Sequence, residues 1–274
     1  MSAKIDIRRD VTRVKAVHRR RVERLGDSEP LPPCDVASLD PVVRARAVQG
    51  FSQLFETEYE SVVIAGFMTS ALARIGAPLD LVGAFGKIVE DEIRHADLVA
   101  QVLEGLGGKA QILAQPLPPA PETISGTRAI EEVLAGMASF FCVGEELSSH
   151  IFKASLEVAR EPRMRAMTSE IFTDEATHGA FGFEAAKELV RLIDEKAKGR
   201  VALRVVEAVK AFEQRLGGPL SLADKKPLTD VDRGLARLGL LPKEALLGIF
   251  YERIESHVLP RLEDAGLPIG LRVQ

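Results

Sequence analysis

The fold is decided by two short stretches, DEIRH at residues 91–95 and DEATH at residues 174–178. In each stretch a Glu and a His stand three residues apart, inside a segment whose apolar residues recur at helical spacing. Positions i and i+3 lie on the same face of a helix, so each stretch directs a carboxylate and an imidazole toward one point. The two stretches therefore predict two long helices that each carry a pair of candidate metal ligands.

Each stretch is preceded by another predicted helix with a Glu on its apolar face. Glu58 shares its stripe with apolar residues, whereas Glu56 and Glu60 lie on the wetter side. Glu145 lies on a more apolar stripe than its neighbour Glu146. The chosen Glu comes 34 residues before the Glu of the first stretch and 30 before that of the second. Such separations fit out-and-back helical hairpins that bring the carboxylates to a similar depth.

A Glu followed by Glu-x-x-His, present twice, is the ligand set of a carboxylate-bridged dinuclear metal site in a four-helix bundle. The six predicted metal ligands are Glu58, Glu92, His95, Glu145, Glu175 and His178. Without cations, four inward carboxylates would repel one another and lose hydration, at a cost of several kcal/mol per ion. Mixed carboxylate and imidazole ligands suit iron or manganese and can also hold zinc or copper. The alternative is a set of surface charges or a core network without metal.

Three charged residues flank these ligands in the sequence. Asp91 and Asp174 lie one position off the ligand face, where each can accept a hydrogen bond from a ligand histidine and fix its tautomer. Arg94 is expected to pair with such an Asp or to close the rim of the site. The alternative for all three is a solvated helix charge.

Periodicity predicts an all-α fold with four long helices and a helical C-terminal region. The long helices are expected at 41–75, 79–106, 129–160 and 163–196, and further helices at 201–216, 229–239 and 242–264, with a kink or break at Pro260. The stretch 109–127 contains four prolines. When extended, it is long enough to recross a bundle about 30 Å long.

These features predict three regions. Residues 1–40 form a basic N-terminal arm and a Gly- and Pro-rich linker. Residues 41–196 form a four-helix bundle with a crossover connection and the dinuclear site. Residues 197–274 form a C-terminal helical extension that packs on the bundle.

Composition narrows the functional classes. With a net charge of −4 over 274 residues, the chain has no global attraction to nucleic acid or membranes. Two cysteines support neither a disulfide framework nor a cysteine-based zinc site. No apolar run reaches the length of a membrane span, and the charged N-terminus lacks the apolar core of a signal peptide. We expect a soluble, cytoplasmic protein that does not bind nucleic acid.

The pattern of Glu58, EIRH at 92–95, Glu145 and EATH at 175–178 resembles the ferritin-like di-iron carboxylate superfamily. The resemblance covers about residues 41–196. Its Asp-Glu-x-Arg-His form is similar to the bacterial multicomponent monooxygenases and the small ribonucleotide reductase subunit. The overall length is closer to stand-alone ferritin-like oxidases and oxygenases. The aryl-amine N-oxygenases of this superfamily have a further ligand His where this chain has Ile171, which disfavours that subgroup.

The resemblance implies an O2-activating oxidase or oxygenase that oxidises a small organic substrate, as the stand-alone members do in biosynthetic pathways. Its cofactor would be two Fe ions, with Mn or mixed Fe/Mn as alternatives, and O2 would be the co-substrate. Glu58 and Glu145 are the expected catalytic carboxylates. A separate reductase or ferredoxin would supply electrons, and a homodimer is a further expectation. The alternatives are a ferroxidase or iron-handling protein and a metal-free scaffold; the C-terminal extension favours an organic pocket over iron storage.

Overall fold

The computed structural model describes the backbone of residues 4–6 and residues 31–113, 125–220 and 227–270. The helices are α1 (Pro41–Arg74), α2 (Leu79–Gly105), α3 (Thr127–Gly136), α4 (Glu146–Val158), α5 (Pro162–Val190), α6 (Glu195–Arg215), α7 (Asp230–Arg237), α8 (Lys243–Arg253) and α9 (Leu259–Asp264). A 3₁₀ turn covers Val36–Ser38, and π-helical segments cover Met137–Glu145 and Ile254–Val258. One short antiparallel pair joins β1 (Lys4–Asp6) to β2 (Gln111–Leu113). The prediction of an all-α protein is confirmed apart from this pair.

Local sequence sets the ends of the long helices. Asp40 caps α1 by accepting hydrogen bonds from the amides of Val42 and Val43, and Pro41 occupies the first turn. At the other end, Gly76 has φ +73°, a left-handed conformation that favours glycine. The helix therefore begins and ends close to where the sequence predicts.

Three helix predictions differ from the structure. The fourth helix ends at Val190 instead of Lys196, because the Asp194 side chain accepts from the Ala197 amide and starts α6 at Glu195. The predicted helix at 201–216 consequently begins six residues early. The predicted third helix is not uniform, since its centre is the π segment Met137–Glu145 between α3 and α4.

Two predictions fall mostly outside the described residues. Of the basic N-terminal arm, the backbone of β1 alone is described. Of the predicted crossover, residues 114–124 are outside the described ranges.

Two hydrophobic clusters form the core, and the predicted ligands lie between them. We call them the Phe51 core and the Phe85 core. The Phe51 core contains Val43, Ala47, Phe51 and Phe55 of α1, residues 96–106 of α2 that face inward, Phe152 of α4, and Met164, Met167 and Ile171 of α5. The Phe85 core contains Ala65, Met68 and Leu72 of α1, Phe85 and Ile88 of α2, residues 133–147 that face inward, and residues 183–190 of α5 that face inward.

The C-terminal helices cover the outer side of this arrangement. Helix α7 packs on α1, and α8 packs on α4. Pro260 lies in the first turn of α9, directly after the π segment Ile254–Val258. A proline removes one backbone donor from a helix, and the wider π turn accommodates that loss. The predicted disturbance at Pro260 therefore takes the form of a π segment.

Within the described part of the chain, no helix combines the length and apolar character that crossing a bilayer requires.

We predict that Gly182→Ala destabilises the protein by about 1–3 kcal/mol. A Cβ at Gly182 would lie 2.5 Å from Phe141 Cβ and 2.9 Å from the Phe141 carbonyl carbon, so α5 and the π segment would have to separate. Gly66→Ala is the matched control, because nothing lies within 4 Å of its added Cβ. In a helix interior that change stabilises by about 0.5–1 kcal/mol. Denaturant unfolding measures both, and equal stability of the two variants would contradict the close packing.

Candidate metal centre

The six predicted ligands lie together in the interior. Two overlapping groups each have candidate ligand atoms within 4.8 Å of one another. The first group is Glu58, Glu92, His95 and Glu175, and the second is Glu92, Glu145, Glu175 and His178. All six are buried, and Glu145, at 9%, is the most exposed. The two groups share Glu92 and Glu175, and each could hold a metal ion.

The two histidines occupy equivalent positions. His95 Nδ1 lies 3.7 Å from Glu58 and 3.4 Å from Glu175. His178 Nδ1 lies 3.7 Å from Glu145 and 4.0 Å from Glu175. Glu92 lies 3.5 Å from His95 Nδ1 and 3.0 Å from His178 Nδ1. Each imidazole thus faces one carboxylate of its own and two that both share, Glu92 and Glu175.

The buried atoms at this centre lack the hydrogen bonds that a finished core network would have. Among the described residues, seven buried side-chain nitrogen or oxygen atoms have no hydrogen-bond partner. Five of them face this centre: Glu92 Oε1 and Oε2, His95 Nδ1, Glu175 Oε2 and His178 Nδ1. His178 Nδ1 lies 3.0 Å from Glu92 Oε1, but the pair does not meet hydrogen-bond geometry. Buried polar atoms are rarely left unsatisfied, so this concentration fits a metal-binding role.

The outward nitrogen of each imidazole contacts an aspartate. His95 Nε2 lies 3.1 Å from Asp174, and His178 Nε2 lies 3.3 Å from Asp91. Each Asp thus contacts the histidine of the other helix. When Nε2 donates to the carboxylate, Nδ1 keeps its lone pair for a metal. The geometry is that expected for Asp91 and Asp174 from the sequence.

Arg94 joins the two central helices from the outside. Its guanidinium pairs with both Asp174 and Glu170 of α5. Lys87 pairs with Asp91 in the equivalent place on the other side. These cations hold the aspartates that contact the histidines.

Electrostatics divide the carboxylates into two kinds. Burial, reinforced by the Glu92 carboxylate, raises the pKa of Glu58 to about 8. Burial and the Glu145 carboxylate likewise raise the pKa of Glu175 well above its usual range. For Glu92, burial is opposed by the adjacent His178 and His95, which lower its pKa to about 2.

Both histidines are shifted toward the cationic form. Burial alone would lower the pKa of His95, but Asp174, Glu175 and Glu92 outweigh it and raise that pKa well above the usual value. The pKa of His178 rises against burial for the same reason. In the metal-free protein, protons therefore supply the positive charge that cations would supply.

The π segment places Glu145 and Glu146 in different environments. Glu145 belongs to the second ligand group. Glu146 is also buried, at 8% exposure, but it accepts a hydrogen bond from Arg253 at 2.6 Å and lies 3.5 Å from His257. His150, half-buried, approaches the same carboxylate at 3.4 Å. The sequence indicated Glu145 over Glu146 but gave no signal for this second cluster, whose members come from distant helices.

A cavity of about 660 Å³ adjoins the centre. Glu58, Glu145 and Glu175 form part of its wall, and most of the remaining wall is apolar. Helices α1, α4, α5, α6, α7 and α8 contribute to it, together with the π segment Met137–Glu145. Because it depends on how the C-terminal helices pack, the linear sequence could not reveal its shape.

We predict that the metal-free protein loses stability between pH 5 and pH 8. The folded-state pKa values of Glu58, Glu175 and both histidines lie above their ordinary values. The folded state then holds more protons than the unfolded state, so raising the pH disfavours folding. The pKa of Glu92 is lowered, so Glu92 affects the pH dependence of stability only below this range. The loss should reach at least about 1.4 kcal/mol, the free energy that accompanies a tenfold difference in proton affinity between the folded and unfolded states.

Denaturant unfolding in chelator at several pH values measures this loss. Glu58→Gln should flatten the profile, while Glu56→Gln, at an exposed position of the same helix, should leave it unchanged. A stability that is flat or rises over the range would show that the buried groups do not hold these protons.

Comparisons of the chain with models of protein families, with curated proteins and with solved structures find no match. The functional interpretation therefore depends on the residues and geometry of the site.

Proposed function

We propose that the protein is a non-haem dinuclear-metal oxidase or oxygenase, with two iron ions, that uses O2 to oxidise a small organic substrate. The observation that carries the proposal is the convergence of two Glu/His ligand groups, with unpartnered buried atoms, beside an apolar cavity. Ligands of this type suit iron and manganese, so a manganese or mixed centre has the same support.

The shared membership of the two ligand groups supports a division of roles. Glu58 and His95 would hold one ion, and Glu145 and His178 the other. Glu92 and Glu175 belong to both groups and would help to hold both ions. When bound, such a pair supplies the electrons that reduce O2. Glu58 and Glu145 also line the cavity, which supports their assignment as the carboxylates that meet the substrate.

Aromatic side chains exclude water from this region. Phe51 and Phe55 of α1 and Phe141 of the π segment are each about 1% exposed. A dry site strengthens electrostatic interactions and limits side reactions of reduced oxygen.

The order in which the helices cross the two cores supports a ferritin-like bundle with a crossover. Helices α1 and α5 pass from the Phe51 core to the Phe85 core, whereas α2 and the third helix pass in the opposite sense. Consecutive helices that run in the same sense need a connection that returns along the bundle. The chain between α2 and α3 would make this crossover.

The ferroxidase alternative uses the same ligands, with Fe(II) as the substrate. The apolar cavity and the C-terminal helices that complete it favour an organic substrate. Electrons would come from a separate reductase or ferredoxin, or from the substrate itself.

We predict that the purified protein binds about two metal ions per chain, one for each ligand group. Glu58→Ala should reduce this to about one or fewer, because it removes a buried ligand of the first group. Glu56→Ala, which changes an exposed Glu of the same helix, should leave it unchanged. Elemental analysis of protein reconstituted with Fe(II) or Mn(II) measures the stoichiometry.

Oxygen consumption then separates the functions. An oxygenase should consume O2 only when an organic compound is present, and Glu58→Ala should abolish that consumption. Repeated Fe(II) oxidation with mineral formation would identify a ferroxidase. Full stability without metal, together with tolerance of Glu58→Ala, would identify a scaffold.

We predict that Asp91→Asn weakens metal affinity about 10–100-fold, because it disturbs the residue that orients His178. Glu188→Gln is the control, since Glu188 makes a surface pair with Arg191 on the same long helix as His178. Competition with a chelator measures both affinities. Unchanged affinity in Asp91→Asn would contradict the orienting role.

A further inference from the structure

The cavity beside the metal centre extends along α1. A continuous stripe of α1 lines it from Arg46 to Ile64. At 1.5 Å per residue, this stripe is about 27 Å long. A groove of this length can hold a chain of many carbons in an extended conformation.

The wall has an apolar body and a polar rim. Leu54 and Ile64 of α1, Ile151 of α4, and Leu240 and Leu246 of the C-terminal region form much of the body. Burying a hydrocarbon against this wall is favourable in proportion to its apolar area.

Polar groups that can bind an end group lie at the start of α1. Arg46, Gln49 and Gln53 line this part of the cavity. Arg46 is exposed. Hydrogen bonds from Thr229 lower the pKa of the neighbouring Asp232 carboxyl, and the positive charge of Arg46 contributes to that shift. A guanidinium has five N–H donors, so Arg46 can bind an end group while it stays beside Asp232.

The metal ligands meet this groove part of the way along it. Glu58 is twelve residues, or about 18 Å of helix, from Arg46 and about 9 Å from Ile64. A chain held at Arg46 would pass Glu58 and Glu145 and end near Ile64.

We propose that the substrate is an elongated, mainly aliphatic molecule whose end group, a carboxylate or another hydrogen-bond acceptor, binds at Arg46. This substrate class rests on the proposed function for its role in oxidation, but the binding itself requires only the groove. The apolar wall holds the chain, and the fixed end group determines which carbon lies beside Glu58 and Glu145.

Displacement of a fluorescent fatty acid from the whole protein tests the binding, with and without Fe(II). Hexanoate, decanoate, tetradecanoate and octadecanoate serve as competitors. Affinity should rise about fourfold per methylene group, which corresponds to about 0.8 kcal/mol, until the chain outgrows the groove. Arg46→Ala should weaken the binding of decanoate more than the binding of decanol, because decanol lacks the carboxylate.

Variants that fill the groove give a second readout. Leu54→Trp and Ile151→Trp fill it from α1 and α4 and should each weaken the binding of tetradecanoate about tenfold or more. Val63→Trp, at an exposed position of α1, should leave this affinity unchanged. Circular dichroism and metal analysis of each variant identify those that fold and retain the centre.

Absence of chain-length dependence, or equal affinity in Leu54→Trp, Ile151→Trp and Val63→Trp, would overturn the inference. If the unmodified protein still bound two metal ions in that case, the proposed function would stand. Chain-length-dependent binding by a protein that takes up neither iron nor manganese on reconstitution would instead support the groove and overturn the proposed function.

Discussion

The structure depends on burying four carboxylates and two imidazoles at one level between two hydrophobic cores. Removing a charged group from water costs several kcal/mol, and five buried atoms at this centre have no hydrogen-bond partner that would offset the cost. The Phe51 and Phe85 cores pack on either side of this level and hold four helices in register. A side chain that moved one helical turn along would leave the polar level and enter one of the cores. Packing in the two hydrophobic cores therefore offsets the free-energy cost of burying the polar groups.

The π segment shows how adjacent residues can serve two separate purposes. Successive residues of a helix are rotated by about 100°, so Glu145 and Glu146 cannot both face the metal centre. Glu145 faces it, while Glu146 binds Arg253 and approaches His257 of the C-terminal region. π segments occur frequently at functional sites because they displace side chains from the regular helical positions. Here the residue that follows the candidate ligand Glu145 contacts the C-terminal region through Arg253.

The local sequence pattern was sufficient to predict the candidate ligands, but it was insufficient to predict the structure around them. The apolar stripes separated Glu58 from Glu56 and Glu145 from Glu146, because an amphipathic helix reports which face is inward. The same pattern predicted a fourth helix that extends beyond Val190. The prediction was too long because the apolar pattern does not indicate that Asp194 caps the next helix. The π segment, the Arg253 contact and the cavity depend on packing between distant segments. No spacing rule in the linear sequence contains that information.

Helix α1 connects the centre with the cavity because it is buried on two sides. One side carries Glu58 toward α2 and α5, and the adjacent side lines the groove that α6 and α7 complete. Glu58 lies where these sides meet, so a single carboxylate is both a candidate ligand and part of the groove wall. A bundle without the C-terminal helices would leave this side of α1 open to water. The extension therefore completes the mainly apolar wall of the groove beside the candidate metal centre.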